Sequence, residues 1–168
     1  MDQPSDAATL ERAHSLANEA VHMVALQRRR LQSEEPEDQA FIFRRWADFQ
    51  FLVISLRRLR LAGLLAAKHE VSRAAIRSAI REFDESLPDL QKMRNVGEHI
   101  DDYAFEGGRD RSVDRRALQV GSFDSTTLEW LGERLNVDEA LAAAENLYRA
   151  IKDALSAYKG APSGELDY

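Results

Sequence analysis

The chain has 168 residues, of which 44% are hydrophobic and 31% are charged, enough apolar sequence to bury the core of one domain. Its formal net charge of -6 argues against a protein that coats nucleic acid through its overall field. The absence of cysteine excludes disulfides, thiolate metal sites and thiol catalysis. The polar, acidic start and the lack of an apolar run of about 18 to 20 residues predict a cytoplasmic protein with no membrane association.

The first half of the sequence predicts three helices. Apolar residues from Leu10 to Leu31 recur at steps of three, four and seven, which predicts a helix over residues 6 to 33. Pro36 is placed for the start of a second helix over residues 37 to 67. A third helix over the period from Ile76 should stop at Leu87, because the residue before a proline disfavours the helical region. The expected apolar face of the second helix comprises Phe41, Ile42, Trp46, Phe49, Phe51, Leu52, Val53, Leu56 and Leu59.

The second half predicts two more helices and a small β element. The period from Leu90 to Ala104 predicts a fourth helix, which "EGGRD" (106 to 110) should close through left-handed glycines. Two short runs around "FDS" predict an antiparallel hairpin within residues 117 to 131. Asn136 with Glu139 resembles a capping box, and an apolar period from Leu141 to Tyr158 follows, which predicts a last helix over 137 to 159. The segment 160 to 168 lacks an apolar period and is expected to be disordered.

These elements predict an all-α fold. Helices with one apolar stripe each must bury those stripes against one another. We therefore expect an up-and-down bundle of four to five helices with a small appended β-hairpin, forming a single domain over residues 1 to 159. Trp46 and Trp130 are expected to be core and hairpin anchors.

The stretch "MRNVGEHIDDY" (93 to 103) carries the candidate chemistry on the fourth helix. Asn95, His99 and Tyr103 are spaced by four and predict one polar ridge outside the core. Arg94 lies about 140° from His99 on an ideal helix at about 100° per residue. Within one continuous helix the arginine and the histidine would therefore not converge.

An ordinary solvated helix face explains the same residues. Arg94 is four residues from Glu98 and His99 three from Asp102, spacings typical of surface ion pairs that contribute only tenths of a kcal/mol. The arginine runs, "LRRLR" (56 to 60) among them, are each interpreted as solvated faces. The four histidines form no recognisable ligand motif, so neither a metal nor another cofactor is expected.

The order R-N-x-x-x-H, late in a helical bundle, resembles the HEPN family. The motif itself covers Arg94, Asn95 and His99, and the helix order extends the resemblance over residues 6 to 159. The resemblance implies a metal-independent endoribonuclease, toxin-like or related to defence, whose site joins two motif copies across a homodimer. RNA would be its substrate, and an antitoxin or regulatory protein a further partner.

The resemblance also implies roles for individual residues. His99 would act as general base or acid on the ribose 2'-hydroxyl, and Arg94 would stabilise the charge on the phosphate. Asn95 would orient the pair or hold a phosphate oxygen, and Arg109 and Arg111 would contact substrate. Tyr103 is a weaker candidate for a substrate contact, and a packing role is the favoured alternative for it. Gly97 is expected to permit a bend or the close approach of a neighbouring element.

Two alternative functions stay open at this point. The first is a catalytically inactive module of the same fold that binds nucleotide or RNA, and the second is a dimeric helical interaction protein. The acidic net charge favours these alternatives, whereas the match of Arg94, Asn95 and His99 favours the nuclease.

Overall fold

The computed structural model describes residues 5–34, 39–105, 107–119 and 121–160, with the side chains at positions 39, 41 and 42 left out. It confirms a helical bundle with a small β element. Within those ranges the helices are α1 (Asp6–Leu31), α2 (Gln39–Ala66), α3 (Arg73–Ser86), α4 (Leu90–Glu98), α5 (Ile100–Ala104) and α6 (Val137–Gly160). A 3-10 turn (Arg115–Ala117) and the strands β1 (Gly121–Phe123), β2 (Thr127–Trp130) and β3 (Glu133–Asn136) lie between α5 and α6.

One cluster of buried apolar side chains connects the helices and the sheet. α1 packs along α2 and α6, and α3 packs against α6 and α2. The apolar period predicted for the first helix is buried at every position from Leu10 to Leu31, with at most 7% exposure. Leu87 follows the end of α3 directly before Pro88, as predicted. The burial of these stripes provides most of the free energy that favours the bundle.

Asp48 ties the N-terminal half of α2 to the end of α1. Its side chain is 3% exposed, and its carboxylate accepts hydrogen bonds from Arg30 Nε at 2.7 Å and Arg44 Nη1 at 3.2 Å. Arg44 Nη1 also donates to the Arg30 carbonyl at 2.8 Å. A buried carboxylate needs such partners because an unpaired charge in the interior is strongly disfavoured. The three residues therefore form a clamp between α1 and α2, the Asp48 clamp below.

The β element is a three-stranded antiparallel sheet, so the predicted two-stranded hairpin is too small. β1 pairs with β2 and β2 with β3, and Leu128 stands opposite both Phe123 and Leu135. A tight turn at Leu131 (φ 59°) and Gly132 (φ 77°) reverses the chain after β2. Consecutive positive φ values match the twist of a two-residue hairpin turn. This turn adds the third strand that the sequence analysis missed.

Trp130 anchors the sheet to α2, as expected. Its side chain is 2% exposed, and its indole Nε1 donates to the Leu118 carbonyl at 3.1 Å. Its ring meets Trp46 edge-on at 5.1 Å between centroids and Phe49 at 5.8 Å. Edge-to-face contacts of this kind add stability beyond the burial of area. The sheet is thereby fixed beside α4.

The start of α6 follows the sequence prediction, and its apolar face differs at one position. The Asn136 side chain accepts hydrogen bonds from the amides of Asp138 at 2.9 Å and Glu139 at 3.1 Å, which caps the helix. Tyr158, expected on the apolar face, is 39% exposed because the helix end extends past the core. The helix continues to Gly160. The predictions for Pro36, for the side chains at 41 and 42, and for the tail at 161 to 168 lie outside the described residues.

Candidate functional site

The predicted fourth helix is interrupted at His99, so the prediction of one continuous helix is wrong. His99 stands between α4 and α5 with φ -122° and ψ 34°, outside the α-helical region. Its amide donates to the Asn95 carbonyl at 3.2 Å, and its carbonyl accepts from the Tyr103 amide at 3.3 Å. The two helices follow each other closely, but the helical wheel of α4 does not extend past Glu98.

Gly97 weakens the helix next to this break and lets α4 lie close to its neighbours. Glycine disfavours a helix by about 1 kcal/mol relative to alanine. A Cβ built on Gly97 would lie 3.0 Å from Gln50 Oε1 on α2 and 3.9 Å from Trp130 Cη2 in the sheet. The close approach expected at this glycine is therefore confirmed.

Arg94 is held by its own helix. Its Nη1 donates to Asn95 Oδ1 at 2.7 Å, and its Nη2 forms an ion pair with the Glu98 carboxylate. The Nε–H group is buried and, within the described ranges, has no hydrogen-bond partner. The side chain is 27% exposed. The guanidinium is thus engaged through Nη1 with Asn95 and through Nη2 with Glu98, and its Nε–H is enclosed by the protein.

His99 lies open to solvent. Its side chain is 60% exposed, and its Nδ1 is 3.8 Å from Asp102 Oδ2, too far for a hydrogen bond. In the described part of the chain, Arg94 and His99 do not bond to each other. The Arg94–Glu98 pair and the His99–Asp102 proximity expected of a solvated face are both present. A single chain therefore brings Arg94 and Asn95 together but leaves His99 apart.

Tyr103 is not part of an exposed polar ridge, which corrects the prediction for this residue. It is 7% exposed, and its hydroxyl accepts a hydrogen bond from the Asp110 amide at 3.2 Å. The loop after α5 packs on the ring at Gly108, and this long-range contact is absent from the spacing by four. Tyr103 fixes the loop after α5 onto the bundle.

Gly108 is required because of the space available to it and not because of a left-handed backbone conformation. A Cβ at this residue would lie 2.2 Å from Tyr103 Cδ1, so only glycine fits beside the ring. Gly107 donates its amide to the Asp102 carbonyl at 2.8 Å, which ends the helical segment. The predicted stop is present, and at Gly108 its cause is the tyrosine ring.

Arg109 and Arg111 stand on the loop after α5 with exposed side chains. Arg111 lines a surface cavity of about 400 Å³ together with Tyr103 and Asp110. Arg94 lines a different cavity. Tyr103 and Arg111 therefore line one concavity and Arg94 another, while Arg109 lines neither of them.

Two arginines that the sequence analysis did not select join Arg94. Arg57 and Arg60 on α2 line the same cavity of about 210 Å³, between α2, the end of α3 and α4. Arg60 donates from Nε and Nη2 to the Asp84 carboxylate at 2.6 and 2.7 Å. The "LRRLR" run contained both residues, and their spacing of three on one helix face was the pattern that could have selected them. We call this set of Arg57, Arg60 and Arg94 the arginine cavity.

A third concavity lies near the other end of α4–α5. It measures about 750 Å³ and is lined by aromatic rings of α2 and the sheet, including Trp46, Phe123 and Trp130, with Ile100 at its edge. Ile100 directly follows His99 in the chain. α2 and α4–α5 run antiparallel here, because Arg57 shares a cavity with Arg94 whereas Trp46 shares one with Ile100.

α2 also exposes an apolar stripe, consisting of Phe43 (72% exposed), Phe51 (51%), Ile54 (39%) and Leu61 (46%). On an ideal helix these four residues fall within an arc of about 80°. The expectation that Phe51 belongs to the core face is wrong, since α2 is apolar on more than one side. Arg57 lies about 40° from the edge of this stripe.

The comparisons with known proteins add no relative: no protein-family model, curated protein or solved structure matches this chain. The resemblance to the HEPN family therefore stays a prediction based on Arg94, Asn95, His99 and the helix order. No helix among the described residues has the length and apolar character needed to cross a membrane. In the same ranges, no three His, Asp or Glu side chains are grouped so as to hold a metal ion.

Proposed function

We propose that the protein is a metal-independent endoribonuclease of HEPN type that acts as a homodimer. The observation that carries the proposal is the position of His99 at the break between α4 and α5, exposed and without a hydrogen bond to its ring in the described residues. An imidazole in contact with solvent can accept or donate a proton. Arg94 and Asn95, hydrogen-bonded to each other, lie one helical turn before it.

The proposed reaction needs no metal. His99 removes the proton from a ribose 2'-hydroxyl, and the resulting oxygen attacks the adjacent phosphorus. The bond from phosphorus to the 5'-oxygen breaks, and that oxygen takes up a proton, which leaves a 2',3'-cyclic phosphate. Arg94 stabilises the negative charge that develops on the phosphate. Asn95 keeps the guanidinium of Arg94 oriented. The hydrogen bond from Arg94 Nη1 to Asn95 Oδ1 at 2.7 Å supports this role for Asn95.

A homodimer supplies what one chain lacks. Arg94 and His99 do not converge within the chain, whereas a two-fold mate can bring the histidine of one copy towards the arginine of the other. The apolar stripe on α2 supports such an interface because it exposes four large side chains along the helix that packs on α4. Burial of such a stripe against its own copy would favour association through the hydrophobic effect.

A catalytically inactive RNA-binding module is the second candidate. The Arg94–Glu98 ion pair favours it, because a neighbouring carboxylate competes with phosphate for the guanidinium. The two candidates differ in one property. A binding module holds RNA without changing it, whereas the nuclease converts RNA to products with cyclic phosphate ends.

The test is incubation of the purified protein with labelled RNA in EDTA. We expect cleavage by the wild type and a loss of about 10² to 10⁴ in rate for His99→Ala, the usual loss for a general base. His22→Ala, which removes an exposed histidine on α1, is the matched control and should cleave like the wild type. Both variants should keep their stability within about 0.5 kcal/mol. Equal rates for His99→Ala and the wild type would refute the assignment.

The dimer is tested separately by Ile54→Glu, which places a charge in the apolar stripe. Sedimentation should show a dimer for the wild type and a monomer for the variant, because burial of an unpaired carboxylate opposes association. Cleavage should be lost with the dimer, although both proposed catalytic residues are intact. A monomeric wild type that cleaves RNA would contradict the two-copy site.

A further inference from the structure

The arginine cavity is unusual for its concentration of like charge. Arg57, Arg60 and Arg94 line a space of about 210 Å³, and one acidic residue, Asp84, lines it with them. The volume equals that of several water molecules, at about 30 Å³ each in the liquid, and leaves room for a phosphate group. Arginine is suited to this ligand because its planar fork donates two hydrogen bonds to neighbouring phosphate oxygens.

The three arginines differ in how fully they are paired. Arg60 is held by two hydrogen bonds to Asp84, so it forms a fixed wall of the cavity. Arg94 is paired with Glu98 but keeps a buried Nε–H group without a partner in the described residues. Arg57 is half-buried and has neither an ion pair nor a hydrogen bond from its side chain within those residues. Arg57 therefore has donors available, and Arg94 lines the same cavity and adds its positive charge.

The surroundings of Arg57 show the effect of this crowding. Burial lowers the pKa of its guanidinium, and the positive charges of Arg94 and Arg60 lower it further. Glu98 and Asp84 act in the opposite direction without cancelling that effect. An anion in the cavity would attract all three cations and relieve their mutual repulsion.

We propose that the arginine cavity binds a phosphate group between Arg57 and Arg94. That the site binds phosphate is inferred from the cavity alone. That the phosphate belongs to an RNA backbone rests on the proposed function. The bound phosphate lies one helical turn before His99 on α4, so it sets the position of the strand along the motif. Arg57 is a binding residue in this proposal and takes no part in proton transfer.

The first experiment measures binding of a short 2'-O-methyl RNA, labelled with fluorescein, by fluorescence anisotropy. This RNA has no free 2'-hydroxyl and cannot be cleaved by the proposed reaction. Arg57→Gln should weaken binding by about tenfold. It should also reduce the slope of the logarithm of the binding constant against the logarithm of the salt concentration by about one, as expected for the loss of one phosphate contact. Arg77→Gln, the same change of charge on an exposed side chain of α3 outside the cavity, should change binding by less than about twofold.

A second variant separates binding from folding. Arg57→Lys keeps the charge and loses the fork, so binding should fall between that of the wild type and that of Arg57→Gln. The thermal midpoints of all three variants should match the wild type within a few degrees, as for surface substitutions. Equal binding by Arg57→Gln and Arg77→Gln would overturn the site.

A third arm identifies the source of the phosphate. Inorganic phosphate is added while NMR monitors the arginine Nε–Hε groups. Resonances of the wild type should shift, and in Arg57→Gln these resonances should be absent or should not respond. Shifts with inorganic phosphate but no RNA binding would support a site for a free phosphate group. Failure of both probes to depend on Arg57 would overturn the inference. If RNA binding depends on Arg57 but the wild type does not cleave RNA, the proposed function fails and the phosphate site stands.

Discussion

The two halves of α2 use arginine in opposite ways. In the Asp48 clamp, a carboxylate with 3% exposure accepts hydrogen bonds from two arginines and ties α2 to α1. In the arginine cavity, three cations line the same space as one carboxylate, Asp84, whose side chain is 41% exposed. In the clamp, the buried Asp48 lies between the arginines. At the arginine cavity, the acids Asp84 and Glu98 are more exposed. An arginine cluster is structural where it surrounds a buried acid, and a candidate anion site where several arginines line a cavity beside a half-exposed acid.

The largest expected effect is on the clamp. Asp48→Ala should lower the free energy of unfolding by about 3 kcal/mol, at the lower end of the range for breaking a buried ion pair, because half-exposed Arg30 can turn to water. Urea unfolding followed by circular dichroism measures the change. Glu98→Ala removes the acid that pairs with Arg94 of the arginine cavity. It should lower the free energy of unfolding by less than about 0.5 kcal/mol. Similar losses for the two variants would erase the distinction.

The Arg60–Asp84 pair should rank second. Its two hydrogen bonds form a fork, but both side chains are partly exposed, so a double-mutant cycle of Arg60→Ala and Asp84→Ala should give a coupling energy of about 1 kcal/mol. The measurement is again urea unfolding of the two single variants and the double variant. A coupling as large as the Asp48 effect would mean that this half of α2 is clamped as well.

Glu98 should limit anion binding at the arginine cavity. Its carboxylate pairs with Arg94, so Glu98→Gln should strengthen binding of the noncleavable RNA by about threefold, corresponding to a surface pair of below 1 kcal/mol. Asp102→Asn removes a neighbouring acid that does not line the cavity, and should have a smaller effect. Weaker binding by Glu98→Gln would show that the Arg94–Glu98 pair positions the arginine rather than blocking it.

The smallest effect concerns Lys92 and Glu133, a partly exposed pair that joins α4 to the sheet at 2.5 Å. The hydrogen bond from Lys92 lowers the pKa of Glu133 and raises that of Lys92. The carboxylate therefore contributes stability above its unfolded pKa of about 4.3, and this contribution is lost as the pH falls through the lowered folded pKa. Glu133→Gln should cost below about 1 kcal/mol at pH 7. The difference from the wild type should vanish in acid.

The sequence predicted the bundle well because long apolar periods leave few alternatives. Residues such as Leu10, Val24 and Ile80 recur at helical spacing and are buried. A bend near Gly97 was expected from the sequence, but the interruption at His99 was not, since the period continues through Ile100, which is 41% exposed in the structure. Gly97 disfavours the helix next to the interruption and lies close to Gln50 on α2 and Trp130 in the sheet.

The candidate site was less predictable for a related reason. Arg94 and Asn95 were found by motif, but the grouping of Arg57 with Arg94 depends on how α2 packs on α4, which no local pattern contains. Phe51 was assigned to the core because the sequence does not show whether an apolar residue packs inside the chain or stays on its surface. Long-range packing decided each of these cases.

The aromatic contact between α2 and the sheet gives the protein a built-in optical probe. Its two tryptophans, Trp46 and Trp130, lie 5.1 Å apart between ring centroids, so the whole indole emission comes from a single place. That place borders the concavity that Ile100 also lines, next to His99. A strand or second copy that covers this concavity would remove water from Trp46 and shift the emission, while events at the distant end of α6 would leave the spectrum unchanged. The unlabelled wild-type chain can therefore report occupancy beside His99 in solution.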